Sequence, residues 1–186
     1  MREPPIVTSG ATVKMLGLRA RLALGYGVAL VVIVLDQWSK HWASSALAYR
    51  VPERVTAWFD LMLAHNTGAA FSFLAGAGGW QRWFFAAVAV SVSVVIAVWI
   101  ARARGGPWWL LLGLGAILGG GLGNLIDRLR LGHVVDFLSV HYRDWYWPAF
   151  NLADSAITLG VVLMLLDMLR SHGKDDARQN ATQQGE

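Results

Sequence analysis

The sequence predicts an all-α integral membrane fold: four transmembrane helices carrying a small extracytoplasmic β-sheet. Three observations carry this expectation. The 186-residue chain is 55% hydrophobic with a mean hydropathy of +0.44, and only 15% of it is charged, which is too apolar for a soluble domain of this length. Four apolar runs are long enough, at about 1.5 Å of helix rise per residue, to cross a hydrocarbon core about 30 Å thick. Between the first two runs the pattern changes to an alternation of period two, as expected of strands outside the bilayer.

Taken in order, residues 1–15 carry prolines and small polar residues without an amphipathic period and read as a mobile cytoplasmic tail. Residues 16–170 form the membrane domain. Its first span, 18–38, opens with Arg19 and Arg21 and contains an apolar run from Leu22 to Leu35. A cleaved signal peptide is the rival reading. Its small-x-small site, Ala46-Leu47-Ala48, lies well past the run and beyond Asp36, Gln37, Ser39 and Lys40, so the helix is expected to stay uncleaved. Asp36 and Lys40 are spaced i, i+4 between Trp38 and Trp42, which alone would suit an interfacial anchor.

The outer sheet is expected over residues 49–79, with Val55, Ala57, Phe59, Leu61 and Leu63 alternating against Arg54, Thr56, Trp58, Asp60 and Met62. Asn66 and Gly68 can take the backbone angles of a turn and bring main chain close to a ligand. The second span covers 83–100 and ends at Arg102 and Arg104. The third covers 108–126, where Gly115, Gly119 and Gly123 repeat every four residues and let a neighbouring helix approach closely. The segment HVVDFLSVHY at 133–142 has strand character, with Asp136 the lone charge on a face of Val134, Leu138 and Val140. The fourth span covers 152–169, and residues 171–186 read as a disordered cytoplasmic tail.

The absence of cysteine closes disulfide frameworks, thiol nucleophiles and thiolate metal sites. The net charge of +4 comes from basic residues that flank apolar spans, a pattern suited to anionic lipid rather than nucleic acid. Nine of the sixteen lysines and arginines fall on the side of the termini, a slight bias. The 101–107 connection is basic without an acid, so both termini are expected in the cytoplasm and the opposite end of the bundle outside.

Chemistry concentrates at 119–154. Asp127, Asp136 and Asp154 lie at the edges of apolar spans, where an ionised carboxylate is costly unless it faces a cavity or a partner. Asn124, Asp127 and Arg128 share a helical face, as do Asn151 and Asp154. Two adjacent carboxylates cannot both ionise easily, so a pair holds one proton and offers both a base for water and an acid for a carbonyl. An Asp127–Arg128 ion pair and a helix-terminal Asp154 are the bland alternative. A metal site using Asp136, Asp154, His133 and His141 is a second, although no helical metal-ligand motif is present. A small proton-coupled transporter is a third, disfavoured because the acids cluster at one end of the spans.

Asp36-x-x-x-Lys40, NTGAAF at 66–71, GNLIDR at 123–128, VVDF at 134–137 and FNLADS at 150–155 occur in an order that resembles the lipoprotein signal peptidases, or signal peptidase II. The resemblance runs from about residue 18 to 169. It implies an aspartic endopeptidase of the bacterial inner membrane that faces the periplasm or cell exterior. Such an enzyme removes signal peptides from prolipoproteins whose cysteine carries diacylglycerol, without cofactor or metal, among membrane phospholipids, and is inhibited by globomycin. It further implies that Asp136 and Asp154 are the catalytic pair, a choice over Asp127 that spacing alone does not make. Asn66, Gly68, Asn124, Arg128 and Asn151 would position substrate or the pair, and Asp36, Lys40 and Asp127 would support them.

Overall fold

The computed structural model describes residues 17–68, 79–103, 105 and 107–183, with side chains described to 170. The tail at 1–15, residues 69–71 of the NTGAAF motif and the rest of 69–78 lie outside the described residues. Four helices are long and apolar enough to cross a membrane: α1 (Leu18–Ala46), α2 (Trp80–Arg102), α3 (Trp108–Arg130) and the Leu152–Arg170 part of α4 (Leu152–Gln183). Strands β1 (Glu53–Arg54), β2 (Phe59–Asn66), β3 (Val134–Tyr142) and β4 (Trp145–Tyr146) form one antiparallel sheet in the order β1-β2-β3-β4.

Helix α3 is the centre of the bundle, with 67% of its apolar window buried against 11–22% for the other three. Its glycines explain how it can be. A methyl group at Gly119 would sit 2.6 Å from the Ala29 carbonyl oxygen, and one at Gly115 would strike the Gly25 carbonyl and Val28, so this face admits the backbone of α1. Gly113 and Gly120 do the same for α4, against Gly160 and Ala153. Ala29, Ile96, Ile100, Leu114, Ile117 and Leu118 fill the space between helices. At the end away from the sheet, the buried Arg21 donates to the carbonyls of Ala103 and Gly105, clasping α1 to the end of α2.

The structure departs from the sequence expectation in four places. Helix α1 continues to Ala46 rather than Trp38, since nothing from Val28 to Ala46 is glycine or proline; Asp36 and Lys40 therefore lie inside it, 0% and 3% exposed, and are no interfacial anchor. Half of the sheet comes from residues after α3, because β3 pairs with β2 along Phe59–Asn66. Asp60, assigned to a polar face, is buried beside the buried His141, whose Nε2 lies 3.3 Å from its Oδ2. Helix α4 runs on to Gln183 through residues placed in a disordered tail, a segment free of proline.

Candidate active site

The site forms where the sheet-side ends of α1, α3 and α4 meet β2 and β3. Helix α4 begins with a reciprocal cap. Asn151 Oδ1 accepts the Asp154 N–H at 2.9 Å, and Asp154 Oδ2 accepts the Asn151 N–H at 3.3 Å, so the first turn of the helix fixes Asp154. A second end donor, the Ala153 N–H, goes to Asp36 Oδ1 of α1 at 3.0 Å. Strand β3 alternates as expected. Val135 and Phe137 pack with Ala43, Leu47 and Leu63, and the alternate positions turn Asp136 to the other face.

Three asparagines surround the two aspartates, and each is oriented by a group that can only donate. Asn66 Oδ1 accepts the Gly68 N–H at 3.0 Å, so its NH2 group faces Asp136 Oδ2 at 3.1 Å. Asn151 Oδ1 is taken by the Asp154 N–H, so its NH2 group faces Asp136 Oδ1 at 2.7 Å and the Val135 carbonyl at 3.2 Å. Asn124 Oδ1 accepts from Lys40 Nζ at 2.8 Å, so its NH2 group faces Asp154 Oδ1 at 2.7 Å. The carboxylates are thus met by donors on all four oxygens. Burial first, and then the facing charge of Asp154, push the Asp136 carboxyl up to about 7, while the Asn66 and Asn151 amides pull the other way.

Asp127 turns out to serve a different cluster. It does not pair with Arg128; its Oδ2 lies 3.0 Å from Lys40 Nζ and accepts the Val135 N–H at 3.1 Å, and its Oδ1 accepts from Gln37 at 2.9 Å. Asp36 Oδ2 lies 2.8 Å from the same ammonium. Arg128 instead donates to the Gly68 carbonyl at 3.2 Å and lies over the Phe85 ring, tying α3 to the turn after β2 and to α2. Gln37 belongs to the site's support and was not singled out from the sequence; its one signal was its place in the polar cluster after the first apolar run.

The alternative metal ligands are not gathered. His141 lies on the face of β3 opposite Asp136, and His133 stacks on His65 with ring centres 4.0 Å apart. Burial first, and then the neighbouring His65, hold the His133 imidazole below its usual range. The described residues contain no group of three or more His, Asp or Glu side chains arranged to hold a metal.

A cavity of about 750 Å³ opens on Asp154. Its polar end is Asn66, Asn124, Arg128 and Asp154; its other end runs along Ile157, Leu159 and Val162 of α4, with Trp147 and Phe150 beside it. Asp136 is 2% exposed and stands next to this wall, bonded to Asn66. The arrangement sets two carboxyl groups, linked through Asn151, between an apolar groove and the edge of a sheet. That combination fits hydrolysis of a chain bearing an apolar attachment.

The family model described as Signal peptidase (SPase) II matches residues 28–170. A protein of Paraburkholderia phytofirmans named "Lipoprotein signal peptidase" is 55% identical over 149 residues, 80% of this chain and 86% of its own. Proteins of the same name from Cellvibrio japonicus and Pseudomonas aeruginosa are 54% identical over 143 residues and 51% identical over 152, covering 77% and 81% of this chain and 84% and 90% of theirs. Two solved structures share the fold. Both are described as bacterial membrane enzymes obtained by the in meso method, at 2.3 Å and 1.9 Å resolution, with TM-scores of 0.73 and 0.68 and identities of 24% and 25%. They cover 81% and 78% of this chain and 90% and 92% of their own.

Proposed function

Because the chain belongs to the signal peptidase II family, we propose that it is a lipoprotein signal peptidase acting through Asp136 and Asp154 as an aspartic endopeptidase. The observation that carries this is the pair's unequal setting. Asp136 sits at about 7 and holds a proton near neutrality, while Asp154 is met by two donors, the Asn124 amide and the Asn151 N–H. In the proposed reaction Asp154 takes a proton from a water molecule as its oxygen attacks the scissile carbonyl carbon, and Asp136 gives its proton to the carbonyl oxygen. Collapse of the tetrahedral intermediate breaks the C–N bond as the proton held on Asp154 passes to the departing amine and one hydroxyl proton of the intermediate returns to Asp136, restoring both groups. No covalent enzyme intermediate forms.

The substrate is a prolipoprotein whose cysteine bears diacylglycerol. Its acyl chains would lie along Ile157, Leu159 and Val162, at about 0.8 kcal/mol per buried methylene, and its peptide along β2 and the turn at Gly68. The enzyme resides in the bacterial inner membrane with both termini in the cytoplasm, the site at the outer face and globomycin as an inhibitor.

Purified protein given lipidated and unlipidated prolipoprotein tests the reading. Only the lipidated form should be cut, with a bell-shaped pH dependence that belongs to the pair and full activity in excess EDTA. Asp136→Asn and Asp154→Asn should each lose nearly all turnover, and the double variant should be scarcely worse. Substantial cleavage by either folded variant would mean that the pair has been misassigned.

A further inference from the structure

The ammonium of Lys40 has three hydrogens and three acceptors: Asp36 Oδ2 at 2.8 Å, Asp127 Oδ2 at 3.0 Å and Asn124 Oδ1 at 2.8 Å. Two of these are the counterions that a buried cation needs. The third is a neutral amide whose other end holds Asp154. Asn124 Oδ1 accepts from Lys40 Nζ and, at 3.2 Å, from the Asn151 amide, so Asn124 has one workable orientation; turned over, it would set NH2 against NH3⁺ and its oxygen against a carboxylate. The asparagines on Asp136 are oriented by backbone N–H groups, so a charged group governs only the Asp154 side.

We propose that Lys40 is a positioning residue for the reaction: by holding the Asn124 amide in one orientation it makes Asp154 the ionised member of the pair and leaves the shared proton on Asp136. This rests on the dyad reading above. The effect is one of hydrogen-bond polarity rather than of a long-range field, since with Asp36 and Asp127 both ionised the cluster around Lys40 carries a formal charge of −1. A second cavity, of about 200 Å³, reaches Lys40 between Gln37, His41, Asp127 and Arg130. It offers a small amine a way in.

The test uses the full chain with Asp36→Asn as background, because removing Lys40 alone would strand two buried carboxylates beside each other. Lys40→Ala/Asp36→Asn has the parent's formal charge of −1, now on Asp127 alone, and removes the charged donor on Asn124 Oδ1 while the Asn151 amide stays. Relative to the parent, its kcat should fall roughly 100-fold with little change in KM. The acid limb of its kcat profile should move to higher pH, since Asp154 has lost the donor that favours its charged form. The charged groups facing the pair are Arg128 and Asp127 from α3 and Asp36 and Lys40 from α1. Ethylammonium should restore at least a tenth of the lost rate in the double variant and do nothing in the parent.

Equal kcat and pH profile in the double variant and the parent would overturn the proposal, as would a loss in folded protein that ethylammonium does not relieve. Should the double variant fail to unfold cooperatively, Asn124→Asp answers instead. It keeps an oxygen for Lys40 but sets another against Asp154, so it should show a similar loss that the amine cannot relieve, and parent-level kcat there would refute the idea. Asp136→Asn is assayed alongside: activity in that variant would sink the dyad itself, whereas its inactivity confines any failure to Lys40.

Discussion

At the scale of single residues, Asp136 places stability and function in opposition. Its carboxyl rises from 3.8 to about 7 on folding, so between those values the native state holds more protons than the unfolded chain. The group's contribution to stability therefore falls as pH rises through that window and is flat above it. Asp136→Asn removes the titration. At pH 8 it should be more stable than the parent by about 3 kcal/mol, after losing roughly 1 kcal/mol where its NH2 group meets an asparagine amide. A higher Tm for the variant at pH 8, closing or reversing near pH 4, is the expected record; an equal or lower Tm at pH 8 would contradict it. Asp136 was legible as the lone charge on an apolar strand face, and Asp154 through its spacing from Asn151. Lys40 was legible as i, i+4 to Asp36 but not as the partner of Asp127, because that contact joins positions 87 residues apart in the chain. Asp60 was misread for the same kind of reason: alternation marks two faces, and only the arrival of His141 from β3 buries the polar one.

At the scale of elements, the glycines of α3 set how near the other helices can come. Alternation every four residues made the close-packed face readable, and both α1 and α4 use α3 in this way. Gly119→Ala places its methyl against the Ala29 carbonyl and the Val32 side chain, so α1 must move outward. Overpacking of this kind costs about 2 kcal/mol. Thermal unfolding in detergent should show a drop of several degrees, and cleavage should fall further than stability because Asp36 and Lys40 move with α1. A variant with parental Tm and activity would mean that the helices are less tightly coupled than the packing implies. The strand boundaries were less legible than the helices. Residues 55–58 alternate in the sequence yet form bends, since β1 is only two residues long and a hairpin must close before Phe59.

At the scale of the whole molecule, an even number of crossings puts the sheet and the aspartates at one end of the bundle and the Arg21 clasp at the other. Reporter fusions should give cytoplasm after Gly105 and at the C-terminus and the outer side at Glu53; a cytoplasmic Glu53 would invert the assignment. The bundle and its four helices were legible from hydropathy and β3 from its alternation, whereas the pairing of β3 with β2 was not, because it joins segments separated by two whole helices. The reciprocal cap on α4 has a further consequence in time. Asp154 is oriented by Asn151, Ala153 is held by Asp36 from the first helix, and both Asn66 and Asn124 wait for partners that emerge after them. The Asn66–Asp136 bond needs only β3, but the other three stay open until the last span has left the ribosome and entered the bilayer. A nascent chain is therefore a harmless protein among its own substrates. A chain cut short before Asn151 should insert three helices yet cleave nothing, and co-expression of the missing helix from its own start should restore processing if the clasp and the cap can re-form across the break.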